Sequence, residues 1–180
     1  EWSKVFRFRC SVVAGQVLHE TGNFRFGGDV QANQYNFAGL GATGGVQGAR
    51  FDSIRDGTLA VYAHHCAYVY GENVPEPLRG YLAIDTRFSA VIQSGHAGKV
   101  ATIGDYTNGR WAFSRNIPVG SLDNGYAYAL RDYSNKLLGI TARNSSPLQI
   151  AVNAGHRNKS GGNELEAKQT ALITSAFVRK

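Results

Sequence analysis

The residue types with most chemistry to offer are five histidines, two cysteines and a scatter of carboxylates. His64 and His65 are adjacent, and neighbours in an extended segment point to opposite faces, so they cannot chelate one metal ion together. His19, His96 and His156 stand alone, and neither Cys10 nor Cys66 sits in a Cys-x-x-Cys spacing, so no zinc or other metal centre is expected. Nucleophilic catalysis needs a serine or cysteine beside a base that an acid orients. No Gly-x-Ser-x-Gly elbow occurs, and Ser94-Gly95-His96 has the right residue types without the framework. Paired carboxylates for hydrolysis could be drawn from Asp52, Asp56, Asp85, Asp105, Asp123 and Asp132. All of them adjoin turn signals, where aspartate serves local hydrogen bonding, and no pair stands out. The expectation is therefore a protein that performs no bond chemistry and carries no cofactor.

A denser cluster is Asp105-Tyr106-Thr107-Asn108-Gly109-Arg110-Trp111, which gathers two aromatic rings, an acid, an amide and an arginine around a hairpin-type turn. Sugars stack an apolar face on aromatic rings while polar groups hold their hydroxyls, as small-molecule sites combine apolar walls with a few placed polar groups. Asp105, Tyr106, Asn108, Arg110 and Trp111 are thus the candidate ligand-binding residues; the alternative is that Trp111 belongs to the core and Asn108-Gly109 is only a turn. Tyr126, Tyr128 and Tyr133 form a second aromatic group that one strand face would explain equally well.

The elements that would position these residues read as strands. In Val5–Val12 one face carries Phe6, Phe8, Cys10 and Val12 and the other Arg7, Arg9 and Ser11, the period-2 signal of a half-buried strand. Residues 58–70 form a second long extended run through His64-His65-Cys66, and further strands are expected near 24–31, 79–85, 87–93, 98–103, 110–115, 125–131, 136–142, 147–153 and 169–178. Asp56-Gly57, Asn108-Gly109 and Asn124-Gly125 supply hairpin turn chemistry. Phe37–Gly48, with five glycines, reads as a flexible loop, lacking the context of a phosphate cradle. Residues 163–169 are the one helix candidate, with a polar loop as the alternative. Short strands with turns every 8–12 residues point to an all-β sandwich or barrel with at most one short helix. Cys10 and Cys66 either pair, closing a loop of about 56 residues worth about 4 kcal/mol, or remain two buried thiols; pairing is the expectation.

Composition bounds the rest. At 180 residues the chain is the size of one domain, 1–180. Charged residues make up only 18% against 43% hydrophobic, the opposite of the balance that disorder requires. No apolar run approaches the length of a membrane span, so no membrane insertion is expected. The net charge of +6 is scattered, without the basic runs of nucleic-acid binders, so no nucleic-acid partner is expected. A start at glutamate and the absence of methionine fit a processed, exported product.

Taken together, a glycine-rich, exported all-β chain with one early and one mid-chain cysteine resembles the chaperone–usher fimbrial (pilus) subunits of Gram-negative bacteria. Cys10-Ser11-Val12 is similar to the early cysteine strand of pilins, and Thr21-Gly22-Asn23-Phe24-Arg25-Phe26-Gly27-Gly28-Asp29-Val30 resembles the Gly-Asp/Asn-Phe-x-Gly segment of enterotoxigenic fimbrial subunits. The resemblance implies an incomplete immunoglobulin-like β-sandwich whose missing strand is donated first by a periplasmic chaperone and then by a neighbouring subunit. It further implies a fimbrial subunit or adhesin at the bacterial cell surface that attaches to a host glycan or glycoprotein receptor. The ending Ala176-Phe177-Val178-Arg179-Lys180 and the long cysteine spacing depart from bulk pilins and suit a minor or tip subunit. The alternatives are a secreted, stand-alone lectin-like β-sandwich and a secreted glycan hydrolase using the scattered carboxylates.

Overall fold

The computed structural model describes residues 1–106, 111 and 125–139, and their architecture is helical. Six α-helices follow in order: α1 (Trp2–Phe6), α2 (Cys10–Glu20), α3 (Ile54–Tyr70), α4 (Glu76–Arg79), α5 (Phe88–Gln93) and α6 (Tyr126–Leu137). Short 3-10 turns lie at Ala32–Gln34, Leu82–Ile84 and Ile103–Tyr106. Among the described residues extended pairing is confined to isolated bridges at Phe8 and Thr102, and no sheet exists. This overturns the all-β, immunoglobulin-like sandwich, and with it the fimbrial subunit built by strand donation. The lectin-like sandwich and the secreted glycan hydrolase with its scattered turn aspartates fall on the same finding.

The centre of the fold is α3. Ser53 caps it: its Oγ accepts the Asp56 N–H at 3.1 Å and donates to Asp56 Oδ2 at 2.6 Å, so this aspartate starts a helix rather than a hairpin. From Leu59 to Tyr68 every residue is buried. A helix that is apolar all round lies inside its domain and shows no stripe, so its β-branched and aromatic residues imitate a buried strand. Its length of 17 residues is what a strand would not reach. Gly57 is helical and faces a close approach: a Cβ there would stand 1.8 Å from the Tyr35 carbonyl oxygen. The helix stops at Gly71, whose φ of 59° needs no Cβ.

The supposed first strand, Val5–Val12, is split. α1 ends at Phe6, Arg7 turns through a φ of 55°, and α2 begins at Cys10. Phe6 and Phe8 are both buried, as alternation suggests, but Val12 and Val13 are buried side by side. Cys10 is half-buried at the start of α2 and Cys66 buried in α3; both are free thiols, against the expected disulfide. The expected strands at 79–85 and 87–93 are occupied by α4, the Leu82–Ile84 turn and α5. Residues 98–103 run into the Ile103–Tyr106 turn, and 24–31 form an irregular turn.

α6 packs along α2 and replaces the strand expected at 125–131. Its buried positions Tyr126, Ala127, Leu130, Arg131, Ser134 and Asn135 repeat at helical spacing. Gly15 of α2 lets the backbones meet, since a Cβ there would lie 3.1 Å from Ser134 N and 3.2 Å from Leu130 O. The strands expected at 147–153 and 169–178, most of 110–115, part of 136–142 and the helix candidate at 163–169 lie outside the described residues.

Candidate functional site

Glu20 is the last residue of α2, and the chain after it is bent sharply away. Gly22, Asn23 and Phe24 take φ values of 56°, 60° and 62°, and Phe26 one of 55°. Bulky residues in that region cost of order 1–3 kcal/mol each, and such strain persists only where surrounding contacts impose it. Buried Thr21 imposes it here: its Oγ1 donates to Val17 O at 2.7 Å and accepts the Phe24 N–H at 3.0 Å, while its carbonyl accepts Phe26 N–H at 3.0 Å. Phe24 and Phe26 then set their rings against Phe37, joining the end of α2 to the glycine-rich loop.

The Glu20 carboxyl is held by two aromatic donors. Trp111 Nε1 donates to Oε1 at 3.1 Å, and the Tyr126 hydroxyl donates to the same oxygen. Gln16, one turn earlier on α2 and fully buried, donates from Nε2 to the Tyr126 hydroxyl at 2.7 Å, which commits the phenol proton to Glu20. Among the described residues Oε2 has no partner. Glu20 keeps an exposed flank, but its carboxyl lies in a crowded aromatic surround, and this desolvation raises its pKa above the usual carboxylate range. Desolvation prevails over the Tyr126 and Trp111 hydrogen bonds and over the charge of His19 or His64 when protonated. The C-terminal end of a helix also disfavours a negative charge.

Trp111 ties this carboxyl to a groove. Its ring packs against His64, His65, Tyr68 and Tyr106 at centroid distances of 4.7, 5.1, 5.2 and 5.3 Å. The groove, about 180 Å³, is lined among the described residues by Ala38–Thr43, His64, Tyr68, Arg87, Val91 and Trp111. Its glycine-rich wall is anchored, in contrast to the flexible loop expected. Buried Asn36 donates to Leu40 O at 2.9 Å and Ala49 O at 3.1 Å and accepts the Leu40 N–H at 2.9 Å. Gln34 adds a bond to Gly48 O at 3.1 Å.

His64 and His65, neighbours on α3, have opposite fates. His64 Nδ1 meets Asp85 Oδ2 at 2.9 Å, and Asp85 is fully buried at its side chain. His65 is fully buried, its Nδ1 bonds the Tyr106 hydroxyl, and burial drives its pKa down to about 3, so it is a neutral core residue. Cys66 behaves likewise as core: burial pushes its thiol up to about 12.

The candidate binding residues are thus dispersed in role. Trp111 lines the groove, and Tyr106 lies fully buried beneath it against His65. Asp105 caps its own 3-10 turn, its Oδ2 accepting Ala101 N–H, Thr102 N–H and the Thr102 hydroxyl at 2.8–3.0 Å. Asn108 and Arg110 lie outside the described residues. Of the carboxylates considered, Asp56 sits in the first turn of α3 and accepts the hydroxyl of its cap Ser53, Asp132 pairs with Lys136 at 2.7 Å on the surface, and Asp85 holds His64. Sequence reasoning missed Glu20 and Gln16, and read Tyr126 only as one of an aromatic group that a strand face would explain. The available signal was the spacing Gln16–Glu20 at a helix end followed by Thr21-Gly22-Asn23, a helix-stop pattern.

No known protein family matches the chain. An uncharacterized protein of Borreliella burgdorferi is 34% identical over 102 residues, 56% of this chain. The chain spans only 45% of that relative's length, too little to establish a shared family. No solved structure matches it.

Proposed function

We propose that the chain is an acid–base enzyme in which Glu20 donates a proton to the leaving group of a substrate lying along the Trp111 groove. The observation that carries this reading is a carboxyl fixed through one oxygen by Tyr126 and by Trp111, whose side chain belongs to the groove, with its other oxygen unpartnered among the described residues and its pKa raised by desolvation. A carboxyl whose pKa is raised by desolvation is suited to general-acid work. Oε1 is spent on Trp111 and Tyr126, so the transferable proton resides on Oε2. Gln16 and Tyr126 hold the carboxyl in one rotamer, and the main chain of 38–43 offers the substrate a wall with little side-chain bulk.

General-acid help matters in proportion to how poorly a group leaves. The test is a panel of ester, amide and acetal substrates, each offered with an alkyl and with a nitrophenyl leaving group. Glu20→Gln keeps both acceptor contacts at Oε1 but has no acid proton. The expected result is a loss of about 100-fold or more on the alkyl member of the cleaved class, with little change on its nitrophenyl counterpart. Equal rates for wild type and Glu20→Gln on every alkyl substrate would overturn the proposal.

A further inference from the structure

We infer that His64, oriented by Asp85, is the general base of this same site and activates the attacking water; the inference rests on the acid role of Glu20. Asp85 is a positioning residue with both oxygens engaged, Oδ2 on His64 Nδ1 at 2.9 Å and Oδ1 on the Arg87 backbone N–H at 2.8 Å. A carboxylate at Nδ1 requires the proton to sit there, which leaves the Nε2 lone pair as the basic atom. Among the described residues Nε2 has no hydrogen-bond partner, and the ring lines the groove although the side chain is only 8% exposed. Tyr68 and Trp111 brace the ring at 5.2 and 4.7 Å. The same indole holds Glu20 at its Nε1 edge, so the two proton-handling groups share one aromatic plate.

The adjacent histidine is an internal contrast. His65 also bonds through Nδ1, but its Nε2 is sealed in the core with nothing to act on.

The step balances without a co-reactant. Water gives a proton to His64 Nε2 as its oxygen bonds the electrophilic centre. The bond to the leaving group breaks, and its electron pair takes the proton from Glu20 Oε2. Exchange with solvent returns one proton to Glu20 and removes one from His64.

The test uses p-nitrophenyl acetate, whose good leaving group needs base but no acid, together with nitrogen NMR of the histidines in the wild-type protein. His64→Gln is expected to lose about 100-fold or more of the hydrolysis above buffer, while Asp132→Asn, a change in a surface ion pair, retains it. Asp85→Asn, which presents an amide to Nδ1, is expected to lower the rate with KM little changed, and a purely structural role would not produce that split. The wild-type spectrum is expected to show His64 protonated at Nδ1 and bare at Nε2, a measurement independent of whether the variants fold. An Nε2-protonated neutral tautomer, no hydrolysis above buffer, or unchanged hydrolysis in His64→Gln would overturn the inference. Loss on the alkyl substrate in Glu20→Gln with none in His64→Gln would leave the acid standing and remove the base. The reverse pattern would remove the acid.

Discussion

Replacing Gly57 by alanine tests the packing that places the groove wall over α3. The added Cβ would lie 1.8 Å from the Tyr35 carbonyl oxygen, about 1.6 Å inside the closest ordinary contact, with the Phe37 ring at 3.1 Å. Neither obstacle is a mobile side-chain tip: one is backbone, and the other is a ring packed against Phe24 and Phe26. Overpacking a core costs about 1–3 kcal/mol, and a backbone clash of this depth belongs at the top of that range or above. Alanine returns about 1 kcal/mol over glycine as a helix former. The net loss is therefore at least about 2 kcal/mol, or about 4–8 °C in Tm for a chain of this size. Gly15→Ala is the control, because its Cβ contacts of 3.1–3.2 Å need only a few tenths of an ångström of relief between α2 and α6. There the same helical gain offsets the cost, and stability should stay within about 1 kcal/mol of wild type. Urea unfolding followed by far-ultraviolet circular dichroism measures both. Gly57→Ala as stable as wild type, or Gly15→Ala as damaging as Gly57→Ala, would refute the reasoning.

Removing Asn36 with alanine should cost about 2–3 kcal/mol, since it strands the buried Leu40 N–H and two carbonyls. Limited proteolysis should then cut within 37–48, where wild type resists; an equally resistant variant would contradict the anchored loop. Glu20, whose carboxyl pKa is raised by folding, favours the folded state fully below the unfolded value of 4.5 and loses that contribution as pH rises through the raised value. Glu20→Gln should therefore gain Tm relative to wild type between mildly acid and neutral pH, and calorimetry showing a pH-independent difference would reject the shift. Denatured, unreduced protein should titrate as two free thiols, and in the native state half-buried Cys10 should react well before Cys66, whose thiol burial pushes up to about 12. A fall in Tm on adding reductant would show a disulfide instead.

The sequence carried the core better than it carried the elements. Phe6, Phe8 and Val12 were legible as interior residues because apolar side chains bury in either kind of element. What failed was the period. In α3 burial on every side erased the amphipathic stripe, leaving local β-preference as the only visible signal. In α6 the tyrosines at 126, 128 and 133 suggested alternation, whereas the buried set 126, 127, 130, 131, 134 and 135 is plainly helical. Two cap patterns, Ser53-x-x-Asp56 and the Thr21-Gly22-Asn23 stop, were the local evidence that could have reversed the assignment. Within the site, Trp111 was legible as an aromatic among polar residues. Glu20 was not, because the desolvation that raises its pKa exists only in the fold, and its partners Tyr126 and Trp111 lie about a hundred positions away along the chain.

The wall of the groove is built from residues with little side chain, so its shape and polarity are written in its main chain. A surface of that kind is largely indifferent to which small residue stands at Ala42 or Thr43. It depends instead on Asn36, which lies buried and does not line the groove. In a diverging lineage, the positions touching a ligand could therefore drift while a buried amide stayed fixed. Counting substitutions at contact positions would then mistake a maintained binding surface for an abandoned one.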